Sequence, residues 1–127
     1  MSIRFAILGA GRIGQVHARA VDGNDKAVLA AVFDPVEAAA ASVAEQYGAE
    51  IHDLDTIAAA DDIDAVIICT PTDLHAQQIE QFARAGKAVF CEKPIDLDSV
   101  RVRDCLAVVE ATGATLMVGF NRRFDPH

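Results

Sequence analysis

Short apolar runs alternate with longer helical patterns along this chain. The apolar runs predict strands, and the segments between them place apolar residues at helical spacing. Strands are predicted at 3–8, 27–33, 49–52, 65–69, 87–91 and 115–119, and helices at 12–21, 38–47 and 54–59, with two further helices that end at Gly86 and Gly113. This order predicts an α/β domain with a doubly wound, mostly parallel sheet of about six strands and helices on both faces.

The turn after the first strand carries the pattern G-x-G-x-x-G at Gly9, Gly11 and Gly14. A glycine directly after the strand permits a tight turn, the second lets backbone approach a pyrophosphate, and the third lets the helix lie close to the sheet. Phosphates would then meet free N–H groups at the helix N-terminus. The pattern predicts a Rossmann-type dinucleotide-binding unit with Gly9, Gly11, Ile13 and Gly14 at the cofactor. The alternative interpretation is an ordinary turn.

An acidic residue follows the second strand. Asp34 lies 34 − 14 = 20 residues after the last glycine, where a carboxylate can accept hydrogen bonds from the adenosine ribose. It would repel a 2′-phosphate, and no Arg or Lys follows in Pro35-Val36-Glu37. The spacing therefore predicts NAD rather than NADP as cofactor. Alternatively, Asp34 is a helix N-cap before Pro35.

Length and charge exclude several classes of function. The 127 residues correspond to one domain, and 52% hydrophobic residues suit a well-buried core. A net charge of -8 leaves no basic surface for nucleic acid or for an anionic membrane. We find no signal peptide and no membrane-length apolar run. Together with three widely spaced cysteines, these features predict a cytoplasmic protein.

The cysteines and histidines do not suggest a metal site. Cys69 and Cys91 fall near the ends of predicted strands and are expected to be core thiols. No histidine has metal-ligand spacing to a cysteine or to another histidine. His17, on the first helix, is expected to be a packing residue rather than a ligand.

Other polar or unusual residues also follow predicted strands. They are Thr70 to His75, Glu92 to Pro94, and Gly119 to Arg123. Parallel strands end at one edge of their sheet, which is where ligands of such sheets bind. We expect these segments to lie beside the glycine turn. Thr72 or Asp73 is predicted to cap the fourth helix, and Asp96 or Asp98 the fifth.

These segments together resemble one enzyme family. The motifs G-A-G-R-I-G at 9–14, Thr70-Pro71 with His75, Glu92-Lys93-Pro94, and G-F-N-R-R-F-D at 119–125 resemble the N-terminal half of the Gfo/Idh/MocA oxidoreductases. The last motif is most similar to that of the family's inositol 2-dehydrogenase branch. The resemblance extends over residues 1–127 and implies a dinucleotide-binding domain here, without the family's second, substrate-binding and oligomer-forming α+β domain.

The resemblance implies a role for each matching residue. Lys93 would be the catalytic lysine, stabilising a developing alkoxide. Thr70, Pro71 and His75 would lie beside the nicotinamide, although many family members have Asn where this chain has Thr72. For the others the resemblance implies three roles: Glu92 would contact the nicotinamide ribose or pair with a cation, Arg12 would contact phosphates or be solvated, and Asn121 and Arg122 would bind substrate.

The resemblance also implies the activity of the parent protein. It would be an NAD-dependent dehydrogenase of a cyclic polyol or sugar, with myo-inositol the first candidate, and would assemble as a homo-tetramer. The family's proton-accepting histidine belongs to the second domain, so this chain is expected to bind cofactor with little or no turnover. The alternatives are a non-catalytic NAD-binding or regulatory module, and a dehydrogenase of another sugar or nucleotide sugar.

Overall fold

A computed structural model describes residues 2–119 of the chain. Strands and helices alternate in it. The strands are β1 (Ile3–Leu8), β2 (Ala27–Phe33), β3 (Glu50–Ile51), β4 (Ala65–Ile68), β5 (Ala88–Glu92) and β6 (Leu116–Gly119). The helices are α1 (Arg12–Asp22), α2 (Glu37–Tyr47), α3 (Leu54–Ala59), α4 (Thr72–Arg84) and α5 (Ser99–Thr112).

The six strands form one parallel sheet in the order β3-β2-β1-β4-β5-β6. The chain moves outward from β1 to β3, then crosses over and continues outward from β4 on the other side. The strand order therefore reverses between β1 and β4, and the loops after these strands diverge there. The predicted doubly wound α/β fold is confirmed.

Alternating side chains of the central strands enter two separate cores. Ile7 packs with Ala18 of α1 and Val43 of α2 on one face of the sheet. Its neighbour Leu8 packs with Phe82 of α4 on the other face, in the core that also holds buried residues of α3 and α5. Because strand side chains alternate between faces, strands with an apolar residue at every position require helices on both sides.

Most element boundaries lie within one or two residues of the sequence predictions, and the two clearest departures are the third strand and the start of α4. The third strand is only Glu50–Ile51, because it pairs with β2 alone at the sheet edge and both of its residues are exposed. Neither Thr72 nor Asp73 caps α4: the N-cap is Pro71, and no side chain caps this end. Pro71 has an extended backbone, with φ −57° and ψ 148°, so the helix begins with Thr72.

The predicted cap of α5 is confirmed at Asp98, whose carboxylate accepts a hydrogen bond from the Val100 amide at 2.8 Å. The predicted helix ends at Gly48 and Gly113 are also confirmed. Both adopt the left-handed backbone, with φ 71° and 70°, which glycine accommodates without strain.

The cysteines are free thiols. Burial raises the pKa of Cys69 and of Cys91 to about 12, and that of Cys105 to about 11. They are therefore protonated at neutral pH. Cys91 and Cys105 are fully buried, as expected of core thiols, whereas Cys69 is half-buried at the end of β4. No helix between residues 2 and 119 is long and apolar enough to cross a membrane.

Candidate functional site

Two of the three turn glycines are required by the packing of the protein itself. Gly9 has φ 98°, and a Cβ added there would lie 2.6 Å from the carbonyl oxygen of Cys69. A Cβ on Gly14 would lie 1.8 Å from the carbonyl oxygen of Gly9. Any side chain at either position would collide with backbone. Glycine is therefore needed at both positions for the turn to pack this closely against the end of β4 and the start of α1.

Gly11 differs from the other two. A Cβ added there would meet no heavy atom of the described residues within 4 Å, and its backbone, φ −75° and ψ −162°, is extended. Gly11 is the N-cap of α1 and has no side chain to satisfy the N–H groups of the first turn. The space above Gly11 and these amides are what an incoming pyrophosphate requires, so the turn fits a dinucleotide.

Asp34 lies directly beside this turn. One carboxylate oxygen accepts a hydrogen bond from the Ala10 amide at 2.7 Å, and the other accepts from the Val36 amide at 2.8 Å. The two bonds fix the carboxylate between the glycine turn and the start of α2. Asp34 is not the N-cap of α2, because that position is Val36. Each ionised oxygen has a further lone pair, so the half-buried carboxylate can also accept from a ligand hydroxyl.

A cavity of about 450 Å³ adjoins Asp34. The glycine turn and Asp34 form one side, and Pro71 with the first turns of α4 forms the other. Its walls include Phe33, Leu54 and Leu74. A mostly apolar pocket with one carboxylate at its rim suits a flat base attached to a ribose.

A second cavity, of about 310 Å³, continues along the same edge of the sheet. It shares Cys69, Thr70 and Pro71 with the first cavity. It extends to Glu92, the last residue of β5, and to Lys93, which follows it. The two cavities therefore form one cleft across the carboxyl ends of β2, β1, β4 and β5. The structure brings together along this cleft the predicted residues Gly9, Gly11, Ile13, Asp34, Thr70, Pro71, His75, Glu92 and Lys93.

His75 links the loops after β4 and β5. Its Nδ1 lies 2.7 Å from the Pro94 carbonyl oxygen and its Nε2 lies 2.6 Å from that of Thr70. The ring is only 2% exposed, and the Thr70 hydroxyl donates to the Gln78 side chain at 2.5 Å. Both ring nitrogens face backbone acceptors, so His75 orders the wall of the smaller cavity through Thr70 and Pro94. A direct cofactor contact from His75 stays a prediction.

Glu92 and Lys93 end β5 with opposite charges. The Glu92 carboxylate pairs with His17 of α1, whose Nε2 lies 2.5 Å from Oε1. The sequence predicts for Glu92 either a contact with the nicotinamide ribose or pairing with a cation. It does not predict His17 as the partner, because it indicates a packing role for that residue. Its position three residues after Gly14 was the available signal, since i and i+3 share a helix face and Gly14 faces the sheet. Lys93 is exposed on the smaller cavity.

The remaining predicted residues lie elsewhere. The Arg12 side chain is exposed and lines a groove between α1 and α2, together with Arg19 and Tyr47, rather than either cavity of the cleft. Asn121 and Arg122, predicted to bind substrate, lie outside the described residues. Within residues 2–119, no three acidic, histidine or cysteine side chains are arranged to hold a metal ion.

Three features define a dinucleotide-binding α/β domain. They are a central β1 followed by a glycine turn, an acidic residue after β2, and a cleft where the strand order reverses. Residues 3–120 match the oxidoreductase family Gfo/Idh/MocA, described by its NAD-binding Rossmann fold. The chain belongs to this family. Both the resemblance found in the sequence and NAD as the cofactor are thereby confirmed.

Relatives and solved structures agree on this placement. The chain is 67% identical to an inositol 2-dehydrogenase of Rhizobium meliloti (strain 1021), over 100% of this chain and 38% of that protein. It superposes on scyllo-inositol dehydrogenase of Lactobacillus casei with bound NAD(H) and scyllo-inositol, with a TM-score of 0.91, 35% identity and coverage of 99% and 38%. It also superposes on a myo-inositol dehydrogenase of Corynebacterium glutamicum with a TM-score of 0.90 and 42% identity, over 99% of this chain and 38% of that protein. The chain thus spans less than two fifths of the length of these relatives.

Proposed function

We propose that this chain serves as the cofactor domain of an NAD-dependent dehydrogenase that oxidises a secondary alcohol of a cyclic polyol, with myo-inositol as the first candidate substrate. The observation that carries the proposal is Lys93, an exposed ammonium on the smaller cavity of the dinucleotide cleft. A domain that only bound NAD would have no need for a cation there. The relatives named as inositol dehydrogenases support the choice of substrate.

In this proposal, bound NAD supplies the hydride acceptor. Lys93 would donate a hydrogen bond to the substrate hydroxyl oxygen and stabilise the negative charge that develops there as the hydroxyl proton passes to a base, which the family resemblance assigns to the second domain. Donors aimed at a developing oxyanion typically contribute about 3–4 kcal/mol. Thr70, whose carbonyl lies against His75 Nε2, and the adjoining Pro71 form the wall against which the reacting end of the cofactor would lie.

Asp34 provides the basis for choosing NAD over NADP. The carboxylate would accept hydrogen bonds from the two ribose hydroxyls, whereas a 2′-phosphate would place negative charge against it. Titration calorimetry with NAD and NADP tests this choice. We expect tight binding of NAD only, and in Asp34→Ser a loss of roughly 10–100-fold in NAD affinity with weaker discrimination against NADP.

A matched control is Asp61→Ser. Asp61 is exposed and precedes β4, at the opposite edge of the sheet, so its removal changes the net charge equally without touching the cleft. Equal effects of the two substitutions, or equal binding of NAD and NADP by the unsubstituted chain, would contradict the assignment of Asp34 to cofactor selection.

The dehydrogenase proposal requires the rest of a catalytic protein. Residues 1–127 can replace the corresponding segment of the Rhizobium meliloti relative, which is 67% identical. We expect the chimera to reduce NAD with myo-inositol, followed by absorbance at 340 nm, and Lys93→Met to lower kcat at least 100-fold while NAD still binds. A folded, NAD-binding chimera whose turnover is unaffected by Lys93→Met would refute the role of Lys93.

A further inference from the structure

The contact between His17 and Glu92 joins the first helix to the far end of the cofactor cleft. His17 lies in the middle of α1, whereas Glu92 is the last residue of β5, directly before Lys93. The His17 Nε2 donates to Glu92 Oε1 at 2.5 Å. The two side chains are only 22% and 15% exposed, so this is a largely desolvated pair rather than a surface ion pair.

Neighbouring residues fix the direction of this pair. The His17 ring packs edge-on against Phe90, with ring centroids 5.3 Å apart and an interplanar angle of 61°. A Cβ added to Gly119 of β6 would lie 2.9 Å from the Phe90 ring and 3.5 Å from Glu92 Oε2. Phe90 therefore lies close to both His17 and the backbone of β6, and Glu92, two residues further along β5, is on the same face of the strand.

Packing alone does not explain this arrangement. An apolar side chain at position 92 would fill the same space without desolvating a carboxylate, and replacing a buried pair by apolar residues is often neutral or stabilising. Glu92 is also the one acidic residue among the described residues that line the smaller cavity. His17 binds Oε1, while among residues 2–119 no donor reaches Oε2.

We infer that His17 is a positioning residue: by holding Oε1, it directs the Glu92 carboxylate to accept a hydrogen bond from the nicotinamide-riboside half of the cofactor. The inference rests on the proposed function only in so far as the chain binds NAD. It adds that α1 acts at both ends of the cleft. The N-terminus of α1 meets the pyrophosphate, and His17, in the middle of the helix, orders the riboside end of the cleft.

Two substitutions at position 17 separate the hydrogen bond from the packing. His17→Phe keeps an aromatic ring against Phe90 but has no donor. His17→Gln loses the ring but keeps an amide donor that can reach the carboxylate. Titrating each variant with NAD and with ADP separates the two halves of the site, because ADP extends from Asp34 to the glycine turn and does not reach Glu92.

We expect His17→Phe to raise the Kd for NAD about fivefold to tenfold, the loss of one ordered hydrogen bond, and to leave the Kd for ADP within about twofold. His17→Gln should restore NAD binding to within about twofold of the unsubstituted chain. Glu92→Gln should weaken NAD binding and leave ADP binding unchanged, and adding His17→Phe to it should cause no further loss, because the two residues act as one unit.

Three results would overturn the inference. One is unchanged NAD binding in His17→Phe. Another is an equal loss of NAD and ADP binding in both position-17 variants with a lowered melting temperature, which would show a purely structural role. The third is additive losses in the double variant. If the unsubstituted chain bound neither ligand, the proposed function would fail first, so the two failures are distinguishable.

Discussion

Substituting Gly11 by alanine should weaken dinucleotide binding strongly without disturbing the fold. The backbone of Gly11, φ −75° and ψ −162°, is open to any residue, and the added Cβ would meet no heavy atom of the described residues within 4 Å. Replacing glycine by alanine at a compatible position stabilises a protein by about 0.4–1 kcal/mol through the unfolded chain. Replacing glycine by alanine at an N-cap costs a comparable amount, about 0.5–1 kcal/mol, because alanine is the poorer N-cap.

The net change in the free energy of unfolding should therefore lie within about 0.5 kcal/mol of zero. Binding should respond very differently. The methyl group would occupy the space through which a pyrophosphate reaches the first-turn amides of α1. Charge-assisted hydrogen bonds contribute about 1.5–3 kcal/mol each, so losing one of them should weaken NAD binding by roughly 10–150-fold.

The assay combines thermal or urea unfolding, followed by circular dichroism, with calorimetric titration of NAD. Gly23→Ala is the matched control, because Gly23 lies at the other end of α1 with φ −78° and a nearest contact for the added Cβ of 3.4 Å. It should leave NAD binding unchanged and raise the free energy of unfolding by no more than about 1 kcal/mol. Gly14→Ala should behave in the opposite way and unfold the domain, since its Cβ would lie 1.8 Å from a carbonyl oxygen.

A Gly11→Ala variant that binds NAD like the unsubstituted chain would refute the reasoning, because the open space at Gly11 would then not be the phosphate site. Strong destabilisation of the same variant would also refute it, since the added methyl group would then have met protein atoms that the structure places farther away.

Two further substitutions test the packing that supports the cleft. Lys87 is 7% exposed and its ammonium donates to the carbonyl oxygens of Ala60 and Ile63, so Lys87→Met should lower the free energy of unfolding by about 2–4 kcal/mol in urea titrations; a loss below 0.5 kcal/mol would contradict these bonds. Arg101 lowers the pKa of Glu80 from its usual 4.5 by a side-chain hydrogen bond, so Arg101→Met should cost about 0.5–1 kcal/mol at pH 7. Because the folded-state pKa is the lower one, that contribution is present above pH 4.5 and disappears as the pH falls through the folded value; a difference between the two proteins that grew in acid would contradict the pairing.

The sequence predicted the fold well because the signals for it are local. An apolar run such as 65–68 fits a strand of a sheet that is covered on both faces. Gly48 and Gly113 each follow a helical pattern directly, where glycine commonly ends a helix in the left-handed conformation. The cap of α4 was wrong for a local reason too. Thr72 and Asp73 have the right side chains for an N-cap, but the extended backbone of Pro71 places the helix start one residue earlier.

The site was predicted only in part because some of its contacts join distant segments. Asp34 and the glycines could be found from their spacing, which the fold imposes. The pairing of His17 with Glu92 spans 75 positions and depends on how far along β5 the chain runs before it turns, which no local pattern specifies. In the same way, nothing near His75 in the sequence indicates that its two nitrogens face Thr70 and Pro94.

Asp34 shows why part of the candidate cofactor site is already formed by the fold. Its two carboxylate oxygens accept from the amides of Ala10 and Val36, so its orientation is set by the backbone of the glycine turn and of the loop before α2. A ligand ribose would therefore meet a carboxylate that has little freedom left to lose, and preorganisation of this kind reduces the entropic cost of binding. The N-cap alternative for Asp34 is wrong, because Val36 holds that position, but the backbone bonds that Asp34 does accept hold its carboxylate where a ribose could use it.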